Sequence, residues 1–196
     1  MKTEYEVKVL DSDYAAIKSR LSALGGTMVT PRRLMKRFIL DFKDTRLQHA
    51  NSYIRVRDEG DKITTSYKQT DSRSVDGVKE IELVISDIDA MVEIYSKLGL
   101  TIQSYQETYR ESWHLNDVEV EFDEWPWLEP YIATEGKDEE AVRGTLLKLG
   151  YDWVQAVPGD VIQLYQDVFT VSEEEISRYK EIKFGEVPPW LEERRI

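Results

Sequence analysis

Along most of this chain apolar and polar side chains trade places every second residue, the period of a strand, and three stretches break into a period near 3.6. The helical stretches are Ser12 to Leu24, with Tyr14, Ile17, Leu21 and Leu24 on one stripe, then Asp87 to Leu98, with Ile88, Met91, Ile94, Tyr95 and Leu98, then Asp138 to Leu149, with Ala141, Val142, Leu146 and Leu149. The first starts beside Asp11, and the three stop at Gly25-Gly26, Gly99 and Gly150, residues suited to the left-handed turn that ends a helix. The repeated Leu-Gly endings hint at two duplicated halves. Alternating segments lie near 3 to 10, 34 to 42, 53 to 58, 62 to 69, 78 to 86, 106 to 115, 117 to 125 and 130 to 136. Eight strands can close a sheet into a barrel. Asn116-Asp117 and Glu59-Gly60-Asp61 are short turn signals that favour antiparallel neighbours. Beyond Gly150, Val161 to Phe169 reads as a helix, Ser172-Glu173-Glu174-Glu175 as a capping box opening a helix to about Lys183, and Val187 to Trp190 as an irregular docking segment. No linker or low-complexity stretch divides the chain, so the expectation is one domain over 1–196, with a core over 1–170 and a C-terminal helical or docking segment over 171–196.

The strands carry their charges on one face. Glu4, Glu6 and Lys8 oppose Tyr5, Val7 and Val9, because successive side chains of a strand point to opposite sides. The same split sets Arg55 and Arg57 against Ile54 and Val56, Thr64, Ser66 and Lys68 against Thr65 and Tyr67, and Glu80 and Glu82 against Ile81 and Leu83. It returns in Glu119, Glu121 and Asp123 against Val118, Val120 and Phe122, and in Arg110 and Ser112 against Tyr109 and Trp113. An ordinary amphipathic sheet would turn these ionic faces to water. Three amphipathic helices, however, need an apolar surface to cover. If they cover the outside of a closed sheet, the ionic faces line its interior. So many interior charges are costly unless they pair with each other, with metal or with a ligand.

Composition narrows the partners. The 196 residues hold 38 acidic and 26 basic side chains, a formal net charge of -12, which repels polyanions and disfavours duplex nucleic acid. There is no cysteine, hence no disulfide, no thiolate-bound zinc and no cysteine nucleophile. No span approaches the roughly 20 apolar residues of a membrane helix, and no signal segment opens the chain; a soluble, cytoplasmic protein without membrane contact is expected. Five basic lining candidates (Lys8, Arg55, Arg57, Lys68, Arg110) stand against eight acidic ones (Glu4, Glu6, Glu80, Glu82, Glu119, Glu121, Asp123, Glu135), a net of -3. Such an interior attracts cations, and its hard oxygen donors favour Mg2+ or Mn2+. Carboxylate-held metal on one side and Arg or Lys on the other suit a polyphosphate.

Glu4-Tyr5-Glu6-Val7-Lys8 resembles the E-x-E-x-K signature of the CYTH family, the triphosphate tunnel metalloenzymes. The match continues in order through Tyr53-Ile54-Arg55-Val56-Arg57, Ser66-Tyr67-Lys68, Lys79-Glu80-Ile81-Glu82, Arg110 with Trp113, Asp123 in Glu121-Phe122-Asp123-Glu124-Trp125-Pro126, and Glu135-Gly136, and covers roughly residues 1 to 170. The resemblance implies an α+β fold: an eight-stranded antiparallel β-barrel, the triphosphate tunnel, with helices packed on the outside. It implies that Lys8, Arg55, Arg57, Lys68 and Arg110 hold the triphosphate, that Glu4, Glu6, Glu80, Glu121, Asp123 and Glu135 are metal ligands for Mg2+ or Mn2+, and that Glu4, Glu6 and Glu82 aim the attacking water. Two positions depart from the family pattern. Ala133-Thr134-Glu135 stands where the family usually has an E-x-E pair, and Thr108 and Tyr109 stand where a basic residue commonly precedes the matched arginine.

Three functions follow from the resemblance: hydrolysis of inorganic, thiamine or nucleoside triphosphate; class IV adenylate cyclase chemistry, in which ATP gives cyclic AMP and pyrophosphate; and polyphosphate or nucleotide binding without turnover. The partner is a triphosphate-containing small molecule, and the protein a monomer or homodimer. His49 and His114 show no metal-ligand spacing, and Arg37 is assigned to a solvated strand edge, with a lumen-facing phosphate ligand as the alternative. Trp113, Trp125 and Trp127 are assigned to core or rim packing. There is no P-loop, so phosphate recognition falls to side chains.

Overall fold

The computed structural model describes residues 1–10 and 12–196, so Asp11 lies outside the described residues. Eight strands build the barrel: β1 (Lys2–Val9), β2 (Thr27–Phe42), β3 (Ser52–Asp58), β4 (Ile63–Thr70), β5 (Val78–Ile85), β6 (Leu100–Leu115), β7 (Val118–Glu124) and β8 (Tyr131–Gly136). They follow one another in the order β6-β2-β3-β4-β5-β1-β8-β7, and β7 pairs back onto β6 to close the ring, every pair antiparallel. Two short strands join from the C-terminal part: β9 (Val157–Pro158) pairs with β1, and β10 (Glu181–Ile182) runs parallel to β6. The fold is the expected antiparallel barrel with outer helices.

Strands β2 and β6 each run 16 residues and exceed the expected 34–42 and 106–115. They pair from Thr27↔His114 to Phe42↔Leu100, with irregular register between Met28 and Arg33. Pro31 sits in that irregular stretch; lacking an N–H, it reads in sequence as a strand breaker, while a bulge accommodates it.

Three helices cover the outside: α1 (Tyr14–Ala23), α3 (Ile88–Lys97) and α4 (Glu139–Leu149), with a single turn, α2 (Arg46–His49), between the first two. Asp13, Asp87 and Asp138 cap the long helices by accepting the N–H groups of Ala16, Ala90 and Ala141 at 3.1, 2.9 and 2.8 Å. Gly25, Gly99 and Gly150 end them at φ of 84, 96 and 91°. Ile17 and Leu21 of α1 and Val142, Leu146 and Leu149 of α4 pack on Val7, Val9, Val120, Phe122 and Ile132. Ile88, Met91, Val92 and Tyr95 of α3 pack on Leu40, Val56 and Leu100. With these apolar faces buried outward, the alternate ionic residues are left facing the axis.

The C-terminal part forms a third apolar cluster. After a 3-10 turn at Trp153–Gln155 come α5 (Val161–Val168), α6 (Glu173–Ser177) and α7 (Pro189–Glu192). Leu164, Tyr165, Phe169, Ile176, Ile182 and Leu191 pack on Trp125, Tyr131 and Ala133. The capping box forms as expected at Ser172 and Glu175, but the helix ends at Ser177, not near Lys183. Ser104 Oγ donates to the carbonyl of Tyr179 (2.6 Å) and Tyr105 N–H to that of Lys180 (2.8 Å), which draws the chain onto β6. The tail expected to be irregular contains α7, whose Leu191 is fully buried.

Candidate functional site

The barrel encloses a cavity of about 910 Å³ lined by side chains of all eight strands. All twelve site residues expected from the sequence reach it: Glu4, Glu6, Lys8, Arg55, Arg57, Lys68, Glu80, Glu82, Arg110, Glu121, Asp123 and Glu135. The inward turn of the ionic faces is therefore real, and it follows from the two-residue period of strands whose other face is apolar.

Opposite charges inside are closely paired. Lys8 Nζ lies 2.7 Å from Glu6, and Lys68 Nζ 2.9 Å from Glu4. Arg55 holds Glu80 at 3.0 Å and Glu82 at 2.9 Å. Arg110 makes a fork with Asp123, two hydrogen bonds of 2.6 Å, and also reaches Glu121 at 2.5 Å. Arg57 is paired with Glu59 at 2.7 Å, and Thr64 Oγ1 donates to the same carboxylate. Glu59 begins the turn after β3, and the sequence marks it only as part of a loop.

Arg37 is not on a solvated edge: it is buried and reaches the cavity from β2. One guanidinium nitrogen donates to Thr108 Oγ1 at 2.9 Å, Nε has no partner, and the group lies over the Trp125 ring at 4.6 Å. It makes no ion pair with an acid among the described residues. Burial, reinforced by the neighbouring Arg57, Arg55 and Arg110 charges, pushes its guanidinium down to about 9. The cation that the family pattern places near position 108 is thus present beside Thr108, carried by the adjacent strand. The other departure, Ala133, is buried under the C-terminal cluster, in register between Lys8 and Glu121. A carboxylate there would displace apolar packing.

The acids are strained against each other. Burial pushes Glu121 up to about 8 despite Arg110, with Asp123 and Glu119 adding repulsion. Burial likewise raises Glu4 to about 7 against the pull of Lys68, with Glu80 as its hydrogen-bonded neighbour. Burial opposes ionisation of Glu80 too, but the hydrogen bond with Glu4 and the charges of Lys68 and Arg55 hold it near 2. Desolvation opposes ionisation of the half-buried Glu6 as well, yet Lys8 and Lys68 hold it down at about 2. Glu135 is raised by burial and by Glu6.

These side chains supply hard oxygen donors, the chemistry that Mg2+ and Mn2+ accept. Glu6, Glu135 and Glu119 stand abreast on β1, β8 and β7. Among the described residues, however, no three acids converge as a ready metal cage. The expected ligand set is divided: Glu121 and Asp123 are engaged by Arg110, Glu6 by Lys8, Glu4 and Glu80 by Lys68 and Arg55, and Glu135 by Lys2 at 3.2 Å. The donor types fit a divalent cation, and holding one requires these ion pairs to exchange partners.

The C-terminal segment also borders the cavity, through Gly159, Asp160, Gln163 and Arg178. The three tryptophans take the packing roles expected of them. Trp125 is buried beneath Arg37, Trp113 packs against the outer cluster, and Trp127 packs on Tyr165 and Tyr179. His114 lies at the surface, 3.2 Å from Glu119.

A closed antiparallel barrel with a doubly charged interior is the architecture that the E-x-E-x-K resemblance implied. The CYTH domain family matches residues 2–152, and the chain belongs to that family. Among solved structures, the PH1012 protein of Pyrococcus horikoshii superposes with a TM-score of 0.66 at 20% identity, covering 82% of this chain and 98% of that one. A Vibrio parahaemolyticus protein provisionally assigned as an adenylate cyclase gives 0.73 at 8% identity, over 84% and 98%. HpAC1 of Hippeastrum, described as having a dominant triphosphatase activity, gives 0.55 at 17% identity, over 96% and 98%. A search of curated proteins found no match. Among the described residues no helix is long and apolar enough to cross a membrane.

Proposed function

We propose that the protein binds a triphosphate-containing small molecule inside the barrel and hydrolyses it with Mg2+ or Mn2+. The observation that carries this reading is Arg37, a buried guanidinium with no acidic partner, set among Arg55, Arg57 and Arg110. A buried charge of this kind is costly without a counter-anion, and a phosphate chain supplies several. Lys8, Lys68, Arg55 and Arg57 exchange their present carboxylates for phosphate oxygens and Arg37, which holds none, takes them directly, the arginines by forked hydrogen bonds and the lysines as point charges, while Arg110 adds its charge without leaving Asp123 and Glu121. Glu4, Glu6 and Glu80, released from those pairs, and Glu135, released from Lys2, would hold the cation. When bound, the divalent cation neutralises phosphate charge and lowers the pKa of a coordinated water. Glu82 lies beside Arg55 and Arg57, where it can accept a proton from water approaching the terminal phosphate. Glu121 and Asp123 keep Arg110 oriented.

Incubation with Mg2+ and tripolyphosphate, thiamine triphosphate or ATP tests the reading. Orthophosphate release supports it. Pyrophosphate with cyclic AMP would identify a cyclase, and tight binding without turnover a sensor; either result overturns the hydrolytic assignment.

A further inference from the structure

Glu59 is a buried carboxylate on the cavity wall that takes no part in the chemistry above. It follows Arg57 by two residues, so the strand period turns both side chains to the cavity. The chain then reverses at once. Glu59 N–H donates to the carbonyl of Lys62 at 2.9 Å, the Asp58 carboxylate accepts the N–H of Gly60 at 2.8 Å, and Gly60 takes φ of 90°. Glu59 and Lys62 are thereby held at the two ends of one tight turn. From β2, Arg33 Nε donates to the Glu59 carbonyl at 2.9 Å.

The two oxygens of the Glu59 carboxylate are used unequally. Oε1 accepts Arg57 Nε at 3.0 Å, Arg57 Nη2 at 2.7 Å and Thr64 Oγ1 at 3.0 Å. Oε2 faces Lys62 Nζ at 3.7 Å and Arg33 Nη2 at 3.9 Å, attracted by both but beyond hydrogen-bond distance. One carboxylate thus meets three cations, which no other acid among the described residues does. Burial opposes its ionisation, yet Arg57 and Lys62 hold its carboxyl below the usual range.

We infer that Glu59 is a positioning residue: it orients Arg57 and yields it to the phosphate chain, its own charge then being taken up by Lys62 and Arg33. The inference rests on the reading that Arg57 exchanges a carboxylate for phosphate. An acid with Arg57 as its only partner would be stranded in the wall by that exchange, an unpaired buried charge. Glu59 is not stranded, because two cations already stand within 4 Å of the oxygen that Arg57 leaves unused, and Thr64 keeps its hydrogen bond. The arrangement also sets a sign. Glu59 competes with phosphate for Arg57, and Lys62 weakens that competition.

Calorimetric titration of tripolyphosphate with Mg2+ into the full chain tests this as a double-mutant cycle of Glu59→Gln and Lys62→Met. Glu59→Gln should bind about tenfold tighter, since an amide competes for Arg57 less than a carboxylate does, and Lys62→Met about threefold weaker. In the Glu59→Gln background Lys62→Met should change the affinity little, because Lys62 acts through Glu59. Equal or weaker binding by Glu59→Gln, as a merely structural role predicts, overturns the inference. So does an equal loss from Lys62→Met in both backgrounds, the mark of direct contact between Lys62 and phosphate. If Glu59→Gln fails to fold, Arg33→Gln decides, since Arg33 does not border the cavity: a loss of affinity supports the inference and an unchanged affinity overturns it. A wild type that does not bind tripolyphosphate overturns the proposed function itself, and the inference with it.

Discussion

Lys8 Nζ, inside the barrel, donates a 2.6 Å hydrogen bond to the carbonyl of Gly159, 151 residues further along the chain. The first strand and the C-terminal segment thereby meet at the cavity, next to the Lys8 pair with Glu6. Gly159 has φ of 108°, and a Cβ there would lie 2.2 Å from the side-chain oxygen of Gln163. The backbone conformation calls for glycine, whereas the Gln163 side chain can swing aside.

Gly159→Ala should therefore destabilise the protein by about 1–3 kcal/mol, the usual cost of a strained backbone residue. The melting temperature should fall by several degrees in a thermal scan. Gly144, where a Cβ meets nothing within 4 Å and φ is not positive, is the control: Gly144→Ala in the interior of α4 should raise stability slightly.

Arg37 and Arg110 should respond oppositely to truncation. Arg37→Gln removes a buried charge that holds no acid, so ligand-free stability is unchanged or raised. Arg110→Gln strands Asp123 and Glu121, and stability falls by about 3–5 kcal/mol, as for other broken buried pairs. Loss of a charged hydrogen bond to phosphate, about 1.5–3 kcal/mol, should weaken triphosphate binding roughly 10- to 100-fold in Arg37→Gln. Thermal scans and calorimetric titration read the two effects separately.

Most of the barrel and its lining is legible in the sequence because Glu4, Glu6 and Lys8, like Arg55 and Arg57, alternate cleanly with apolar residues. Arg37 is not. Its strand reads Met35-Lys36-Arg37-Phe38-Ile39, with two adjacent basic residues and apolar side chains on both faces. Which one turns inward is decided when α3 covers Leu40 and Phe38. Tertiary contacts likewise override the helical pattern after Ser177, where Tyr179 packs on Trp127 and Trp190.

The acids predict a pH dependence. Glu121 at about 8 and Glu4 at about 7 have folded values above their unfolded ones, so the folded state binds more protons and stability rises as pH falls from about 8 towards 5. Glu6 and Glu80, held near 2, stabilise the fold above the unfolded carboxylate value and lose that contribution as pH falls from about 4.5 towards 2. The metal-free melting temperature should thus peak near pH 5. Mg2+ should raise it most near pH 8, where the acids are most fully ionised, and so flatten the profile.

The central claim is that the interior cations bind a phosphate chain. Isothermal titration of tripolyphosphate into the protein with Mg2+, wild type against Arg37→Gln, tests it most directly. The account predicts one-to-one binding by the wild type and a marked loss of affinity in a variant that melts no lower. Absence of binding, or equal affinity in both proteins, would contradict it.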